Sequence, residues 1–511
     1  MRVAVISTAG YEQIASNQSN YRIDVARLRG TIYDCNMVPL TNNDTRLVAA
    51  VAPTPQAIMQ ISHKLESDIL SDVLDTLKDN LPAVCIVDDE ITASGIATDK
   101  IYTRDTSNAL ACHLIGYTDS TGHGVTGLEH AYDDLLYSEK TVSAVFMTDG
   151  KGKVLKGIDP YFDNDLSIVY SGVVTTIDIN IQEITENALS KLESGCAIVA
   201  EASTGKIRAI ASAPTFDISN IADSLNANNS PMINRALRPF NVGSVFKPAV
   251  AAVAIENNLN CIFDCKGSTK IGDRIFKCHK LSGHGEMSLS SSLAQSCNCY
   301  FYNIALELGS ASIYKMANSL SLSMGIRLAD NFYATTGNLP KLNSLESKGA
   351  LANFSIGQGS LMASPVAMLN LYTAIANNGC YYIPSVVEKT IKDGTESQYD
   401  IGNPTRIMGE KTADTLRKYL QEVIIDGTGK EATPQNVSAA GKTATAQTGR
   451  RDENGVEITN SWFCGFFPAQ TPKYVVVVMS DSKVKISTAR IFAEITDGIV
   501  ERCSKYVNFN D

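Results

Sequence analysis

Apolar residues recur with two different periods along this chain, and the period identifies each element. Across 55–80 (PQAIMQISHKLESDILSDVLDTLKDN), Ile58, Ile61, Leu65, Ile69 and Leu74 fall near a 3.6-residue repeat and predict one helix. Asp178 is placed to cap another, which carries Ile181, Ile184, Ala188 and Leu192 on its inner side. Gly195–Glu201 and Lys206–Ser212 read as strands flanking Ser203-Thr204-Gly205, a hairpin signal. In the run Ala249–Ile255 (AVAAVAI) every side chain is apolar or small, which predicts a helix buried all round. The stripe Leu289, Leu293, Cys297, Phe301, Ala305 and Leu308 is helical but is interrupted at Ser296-Cys297-Asn298. A helix follows Ala363-Ser364-Pro365 and stops at Asn378-Gly379, and the polar stretch 391–405 reads as a surface excursion. Strands at 442–448, 461–467 and 473–479 precede an Ile-rich helix after Ser487. Five strands with helices at both ends of the sequence predict a sheet covered on both faces, an α/β (α+β) architecture. Polar, turn-rich residues 150–170, around Asp159-Pro160, divide the chain into an expected first domain, 1–170, and a second, 171–511.

Composition changes this picture little. With 511 residues, 44% hydrophobic and 19% charged, the chain can bury a large core and hold two or three domains. A net charge of -10, with no Lys/Arg run, argues against a nucleic-acid partner. Neither a signal-peptide core nor an apolar run of membrane-spanning length occurs, so the chain as written is expected to be soluble. The 12 cysteines form no CxxC pair or regular spacing and read mostly as buried thiols, with no metal or cofactor expected. Cys261, Cys265, Cys278, His279 and His284 come nearest to a cluster. A Gly272-Asp273 turn pairs Ile271 with Arg274 and so Gly267 with Cys278, which makes Cys265 and Cys278 diagonal neighbours, slightly too far apart for a disulfide. A bridge after a register slip, or a bound metal, is the alternative there.

Candidate chemistry begins at Asn241-Val242-Gly243-Ser244-Val245-Phe246-Lys247-Pro248. At i,i+3 the Ser244 hydroxyl and the Lys247 amine share one face of a first helical turn, so the amine can take the proton of a serine nucleophile. To do so it must be neutral, and bringing a lysine from about 10.4 to about 7 takes roughly 4–5 kcal/mol, which burial and a second nearby cation can supply. Ser296 and Asn298, two apart, can aim at one site only if the backbone turns between two helices. Lys442-Thr443-Ala444-Thr445, on a Thr-rich strand, provides the second lysine. No histidine follows His284, which excludes a Ser-His-Asp triad built in the C-terminal half.

The ordered triplet S-x-x-K, S-x-N and K-T-x is that of serine beta-lactamases and penicillin-binding proteins. Further stretches widen the likeness to nearly the whole chain. Arg29-Gly30-Thr31-Ile32-Tyr33-Asp34, running into an Asn36 turn, resembles the segment that opens the extracytoplasmic part of class B penicillin-binding proteins, with Cys35 for the usual Arg and Met37 for the usual Gly. Tyr102-Thr103-Arg104 (lacking the usual Tyr-Pro), Gly116-Tyr117 and Gly124 to Asp133 resemble the family's non-catalytic pedestal. Asn234-Arg235-Ala236, Gly357-Gln358-Gly359 and Ala363-Ser364-Pro365 resemble its transpeptidase domain, with Val242 for the usual proline before Gly-Ser.

The resemblance implies a penicillin-binding/serine beta-lactamase-like domain behind an elongated pedestal, and a D,D-transpeptidase that cross-links peptidoglycan stem peptides and is acylated by beta-lactams. It implies Ser244 as nucleophile and Lys247 as its base. The Ser244 and Thr445 N–H groups hold the oxyanion, Ser296 relays a proton, Asn298 binds the peptide amide, and Lys442 with Thr443 receives the terminal carboxylate. Ala444 departs from the family's glycine and adds a methyl facing the catalytic helix. The implied location is the outer face of the cytoplasmic membrane, held by an anchor helix absent from this chain, with a separate glycan polymerase as partner. The rival readings are a serine beta-lactamase, which the pedestal disfavours, and a catalytically weak beta-lactam sensor or scaffold.

Overall fold

The computed structural model describes residues 19–104, 110–164, 166–451, 455–481, 486–505 and 507–509. Its largest sheet is made of β1 (Gly195–Glu201), β2 (Ile207–Ala213), β3 (Ala440–Arg451), β4 (Glu457–Phe467) and β5 (Tyr474–Ser480), in the order β2-β1-β5-β4-β3 and antiparallel throughout. Side chains alternate between faces along each strand, so the apolar runs divide between two cores. Ala197, Val199, Val476 and Val478 face one core, beneath the helices α1 (Ile179–Leu189) and α7 (Thr488–Cys503). Ile198, Val475, Val477 and Trp462 face the other. That second core holds α2 (Lys247–Glu256), α3 (Leu289–Ala294), α4 (Asn298–Leu308), α5 (Pro365–Ala376) and α6 (Glu410–Ile425).

The local signals act as the sequence suggests. The Asp178 carboxylate accepts from the Asn180 and Ile181 N–H groups, and the Ser364 hydroxyl accepts from Ala367 N–H, each capping its helix. α5 is buried at every residue, and just past its end Asn378 and Gly379 both take positive φ.

Two expectations change. The single helix over 55–80 is two, Pro55–Ile61 and Ser67–Lys78, separated by a turn. That turn resets the helical phase, so Ala57, Ile61, Val73 and Leu77 are buried while Ile69 is exposed. The excursion at 391–405 is surface-exposed yet ordered. Val387–Lys392 and Thr395–Gln398 form an antiparallel hairpin, and the first of these strands pairs with Gly172–Thr175, which pairs in parallel with Thr31–Tyr33. The polar pattern there marks an edge strand rather than a loop.

Before residue 170, Asp44–Val51 pairs with Ala83–Ile86 and Ile96–Thr103, and Asn20–Arg27 with Thr141–Met147. The scattered motifs of this region converge on one buried ion network. Arg29 Nε lies 2.7 Å from Glu129 Oε2, Arg104 Nη2 2.7 Å from Glu129 Oε1, and Arg29 Nη1 2.7 Å from Asp133 Oδ1. Among the described residues no helix is long and apolar enough to cross a membrane.

Candidate active site

Ser244 lies in a single 3₁₀ turn, Gly243–Phe246, that runs directly into α2. The turn is reached through Gly243 at φ +65°, and its N–H donates to Gly357 O at 2.8 Å. A Cβ at Gly357 would stand 2.0 Å from Gly243 O, so the glycine of the G-Q-G stretch is required by close backbone approach. The turn is also pinned from both sides: Trp462 Nε1 donates to Asn241 O at 2.8 Å and the Tyr372 hydroxyl to Val245 O at 3.0 Å. As expected from its composition, α2 is buried from Lys247 to Ala254.

Ser296 occupies the turn between α3 and α4, at φ +54°, and this left-handed residue swings Asn298 back towards the same point. Lys247 Nζ lies 2.7 Å from Ser296 O, 3.1 Å from Ser296 Oγ and 2.7 Å from Asn298 Oδ1, and 5.3 Å from the centre of the Phe301 ring. The S-x-x-K and S-x-N stretches therefore meet through the lysine.

β3 carries the third stretch at the sheet edge. Lys442 is fully buried, its Nζ 3.1 Å from Thr443 O and 3.5 Å from Thr428 Oγ1, while the Thr428 and Thr443 hydroxyls stand 2.8 Å apart. Ala444 faces the nucleophile turn: a Cβ on Gly243 would lie 3.4 Å from that of Ala444.

The cleft over these groups has a volume of about 460 Å³ and is lined by Ser244, Ser296, Asn298, Thr443, Ala444 and Thr445, with Thr428, Ser461, Glu431 and His279 around them. Lys247 and Lys442 lie behind this lining. Thr428, Ser461 and Trp462 were not singled out from the sequence. Gly427-Thr428-Gly429 was a signal for the first, whereas Ser461 and Trp462 reach the cleft only because β4 pairs with β3, which places Trp462 opposite Ala444.

Burial pushes the Lys247 amine down to about 7, against the upward pull of the Cys297, Cys278 and Cys299 thiols. Lys442 is held well below the ordinary lysine range, first by burial and then by the charge of Lys247. Two buried ammonium groups this close disfavour double protonation, so the pair is poised to keep one amine neutral.

Residues 195–497 match the model of the penicillin binding protein transpeptidase domain. The chain is 28% identical over 393 residues to stage V sporulation protein D of Bacillus subtilis, covering 72% of this chain and 58% of that protein. It is 29% identical over 431 residues to penicillin-binding protein PbpB of Mycolicibacterium smegmatis, covering 77% and 64%. The chain thus spans about three fifths of the length of these curated relatives. Among solved structures, penicillin binding protein 3 of Mycobacterium tuberculosis in complex with ampicillin is similar with a TM-score of 0.68 at 23% identity, over 95% of this chain and 96% of that one. The D,D-transpeptidase domain of a peptidoglycan glycosyltransferase from Eggerthella lenta is similar with a TM-score of 0.67 at 23% identity, over 93% and 99%. At this identity the structural likeness speaks to the fold, which is the penicillin-binding transpeptidase fold preceded by an N-terminal region.

Proposed function

Because this chain belongs to the penicillin-binding protein transpeptidase family, and within it to the class B proteins, we propose that it is a peptidoglycan D,D-transpeptidase acting through a Ser244 acyl-enzyme. The observation that carries this reading is the meeting of Lys247 with Ser296 and Asn298 beneath a cleft that Ser244 lines.

A neutral Lys247 has two N–H donors and one lone pair. The two short contacts to Ser296 O and Asn298 Oδ1 use the donors and leave the lone pair for a serine proton. Ser244 Oγ then adds to the penultimate D-Ala carbonyl carbon, and its proton passes to Lys247 Nζ. The oxyanion is held by the Ser244 and Thr445 N–H groups, each such donor being worth about 10²–10³ in rate. Collapse breaks the C–N bond, and the proton returns from Lys247 through Ser296 Oγ, 3.1 Å away, to the departing D-Ala amine. The amine of a second stem peptide attacks the ester and restores the Ser244 hydroxyl.

β3, at the sheet edge, offers backbone groups on which a stem peptide adds as a further strand. Thr443 and Thr428 lie at its end, beside the buried Lys442 amine, and suit a terminal carboxylate. Peptidoglycan lies outside the cytoplasmic membrane, so in this reading the protein works there, with a glycan polymerase making the strands it joins. The division into a pedestal, 1–170, and a transpeptidase domain, 171–511, belongs to the same reading.

A beta-lactam places a strained amide where the D-Ala-D-Ala bond lies, so the same nucleophile is expected to open it and stay acylated. Intact-protein mass spectrometry after incubation with a labelled penicillin should show one long-lived adduct on Ser244, absent from Ser244→Ala. An unmodified wild-type protein with intact drug would favour a silent scaffold, and fast drug hydrolysis a beta-lactamase.

Two further outcomes test the site. Acylation should speed up as pH rises through about 7, where Lys247 loses its proton, and then level off. A rate that is flat across neutrality would remove Lys247 as the base. The charges that bear on this amine are Lys442 and the thiols of Cys278, Cys297 and Cys299. Secondly, Ala444→Gly should accelerate acylation by about 5- to 10²-fold, since overpacking typically costs about 1–3 kcal/mol and this methyl faces Gly243 of the nucleophile turn. Equal or slower acylation would show a site adapted to alanine.

A further inference from the structure

Behind the Ser296-Cys297-Asn298 turn, three thiols and an imidazole converge from separate segments. Cys265 ends the strand Phe263–Cys265, Cys278 follows the hairpin Ser268–Ile271 and Arg274–Lys277, His284 precedes the strand Gly285–Met287, and Cys297 is the residue between Ser296 and Asn298. The hairpin keeps its expected register, with Ile271 opposite Arg274 and Cys278 N–H bonded to Gly267 O. Pairing of Cys265 with Gly285 then brings His284 alongside Cys265. Gly267 at φ +86° and Gly283 at φ +82° let the intervening loop close, and a Cβ on Gly283 would lie 2.2 Å from Cys265 O.

Cys265 Sγ is 3.5 Å from His284 Nδ1, Cys278 Sγ is 3.6 Å from the same nitrogen, and Cys278 Sγ is 4.0 Å from Cys297 Sγ. All four ligand atoms lie within 4.8 Å of one another. A tetrahedral zinc ion, with bonds of about 2.3 Å to sulfur and about 2.0–2.1 Å to nitrogen, spaces its ligands about 3.6 Å apart for S to N and about 3.8 Å for S to S. The 3.5, 3.6 and 4.0 Å separations fit those values, and the other pairs lie within 4.8 Å. A disulfide needs sulfurs about 2.05 Å apart, and every cysteine here is free. A polynuclear iron–sulfur cluster would hold its thiolates farther apart than this group allows.

We infer that Cys265, Cys278, Cys297 and His284 form a Cys3His site for one tetrahedral divalent ion of the zinc type. The three cysteines are at most 2% exposed, so the ion would sit in the domain interior rather than on its surface. It would staple the 263–287 segment to the turn whose Ser296 and Asn298 hold Lys247. Its role is positioning, since none of the four ligand atoms belongs to a group that touches the reacting bond. Plain buried thiols, the main sequence-based reading, do not account for an imidazole nitrogen aimed into their midst.

The test uses the full chain purified without chelator. Elemental analysis should give about one zinc per chain, and replacement by Co2+ should produce intense thiolate-to-cobalt absorption with tetrahedral ligand-field bands. A strong chelator should lower the thermal midpoint and slow penicillin acylation, and added Zn2+ should restore both. Cys278→Ser should lose at least about four fifths of the zinc, while Cys380→Ser, outside the cluster, keeps it. The wild-type metal content and the cobalt spectrum need no variant, and both can succeed even if the enzymatic reading fails. Protein that stays metal-free after incubation with Zn2+, or that shows a disulfide among these thiols, overturns the site.

Discussion

Lys247→Met is expected to slow acylation of Ser244 by a penicillin about 10²- to 10⁴-fold, the span that a positioned general base contributes. Methionine matches the length of the lysine stem and is apolar, so a fully buried position accepts it without a large void. What disappears is the amine, and with it both the acceptor of the serine proton and the bonds to Ser296 O and Asn298 Oδ1. Loss of the partner for those two oxygens costs about 1–3 kcal/mol each, offset by no longer holding a lysine in the core. The variant should therefore fold, with an unchanged near-ultraviolet circular dichroism spectrum, and label slowly. Time-resolved mass spectrometry measures the rate directly. A rate within about threefold of wild type would falsify the assignment of Lys247 as base.

Glu129→Ala is expected to destabilise the N-terminal region by roughly 3–5 kcal/mol, the loss seen when one partner of a buried ion pair is removed. Glu129 is 2% exposed and binds Arg29 through one carboxylate oxygen and Arg104 through the other. Without it two guanidinium groups are left in a poorly solvated place, with Asp133 the remaining acidic partner of Arg29. Urea denaturation followed by circular dichroism should show an earlier transition, whereas Ser244 acylation below that transition should be unchanged. A shift of less than about 1 kcal/mol would mean that water reaches the network and screens it.

These two sites differ in how they are written in the chain. The nucleophile and its lysine are three residues apart on an apolar helix, so one local stretch displays both the chemistry and the burial that lowers the amine. Ser296 and Asn298 needed only one further inference, a turn between two helices, which the left-handed Ser296 supplies. The ion network is assembled from residues 29, 104, 129 and 133, and nothing local to any of them indicates the others.

The same division runs through the whole protein. Sequence alone determined the five strands, the cap at Asp178, the all-buried helix after Lys247 and the order of the site stretches. Each of these is a matter of local periodicity, hydrogen bonding or spacing. It did not determine the break at residues 62–66, because a short turn changes the helical phase without disturbing the apolar count. Nor did it show that 395–398 is the edge strand of a sheet, since an exposed strand and a loop have the same polar composition. The sequence put Cys265, Cys278 and His284 near one another, but only strand pairing and helix packing brought Cys297 to them and Thr428 to Thr443, closing distances that the chain leaves open. Tertiary structure decided these features because each requires groups far apart in sequence to occupy one small, poorly solvated volume.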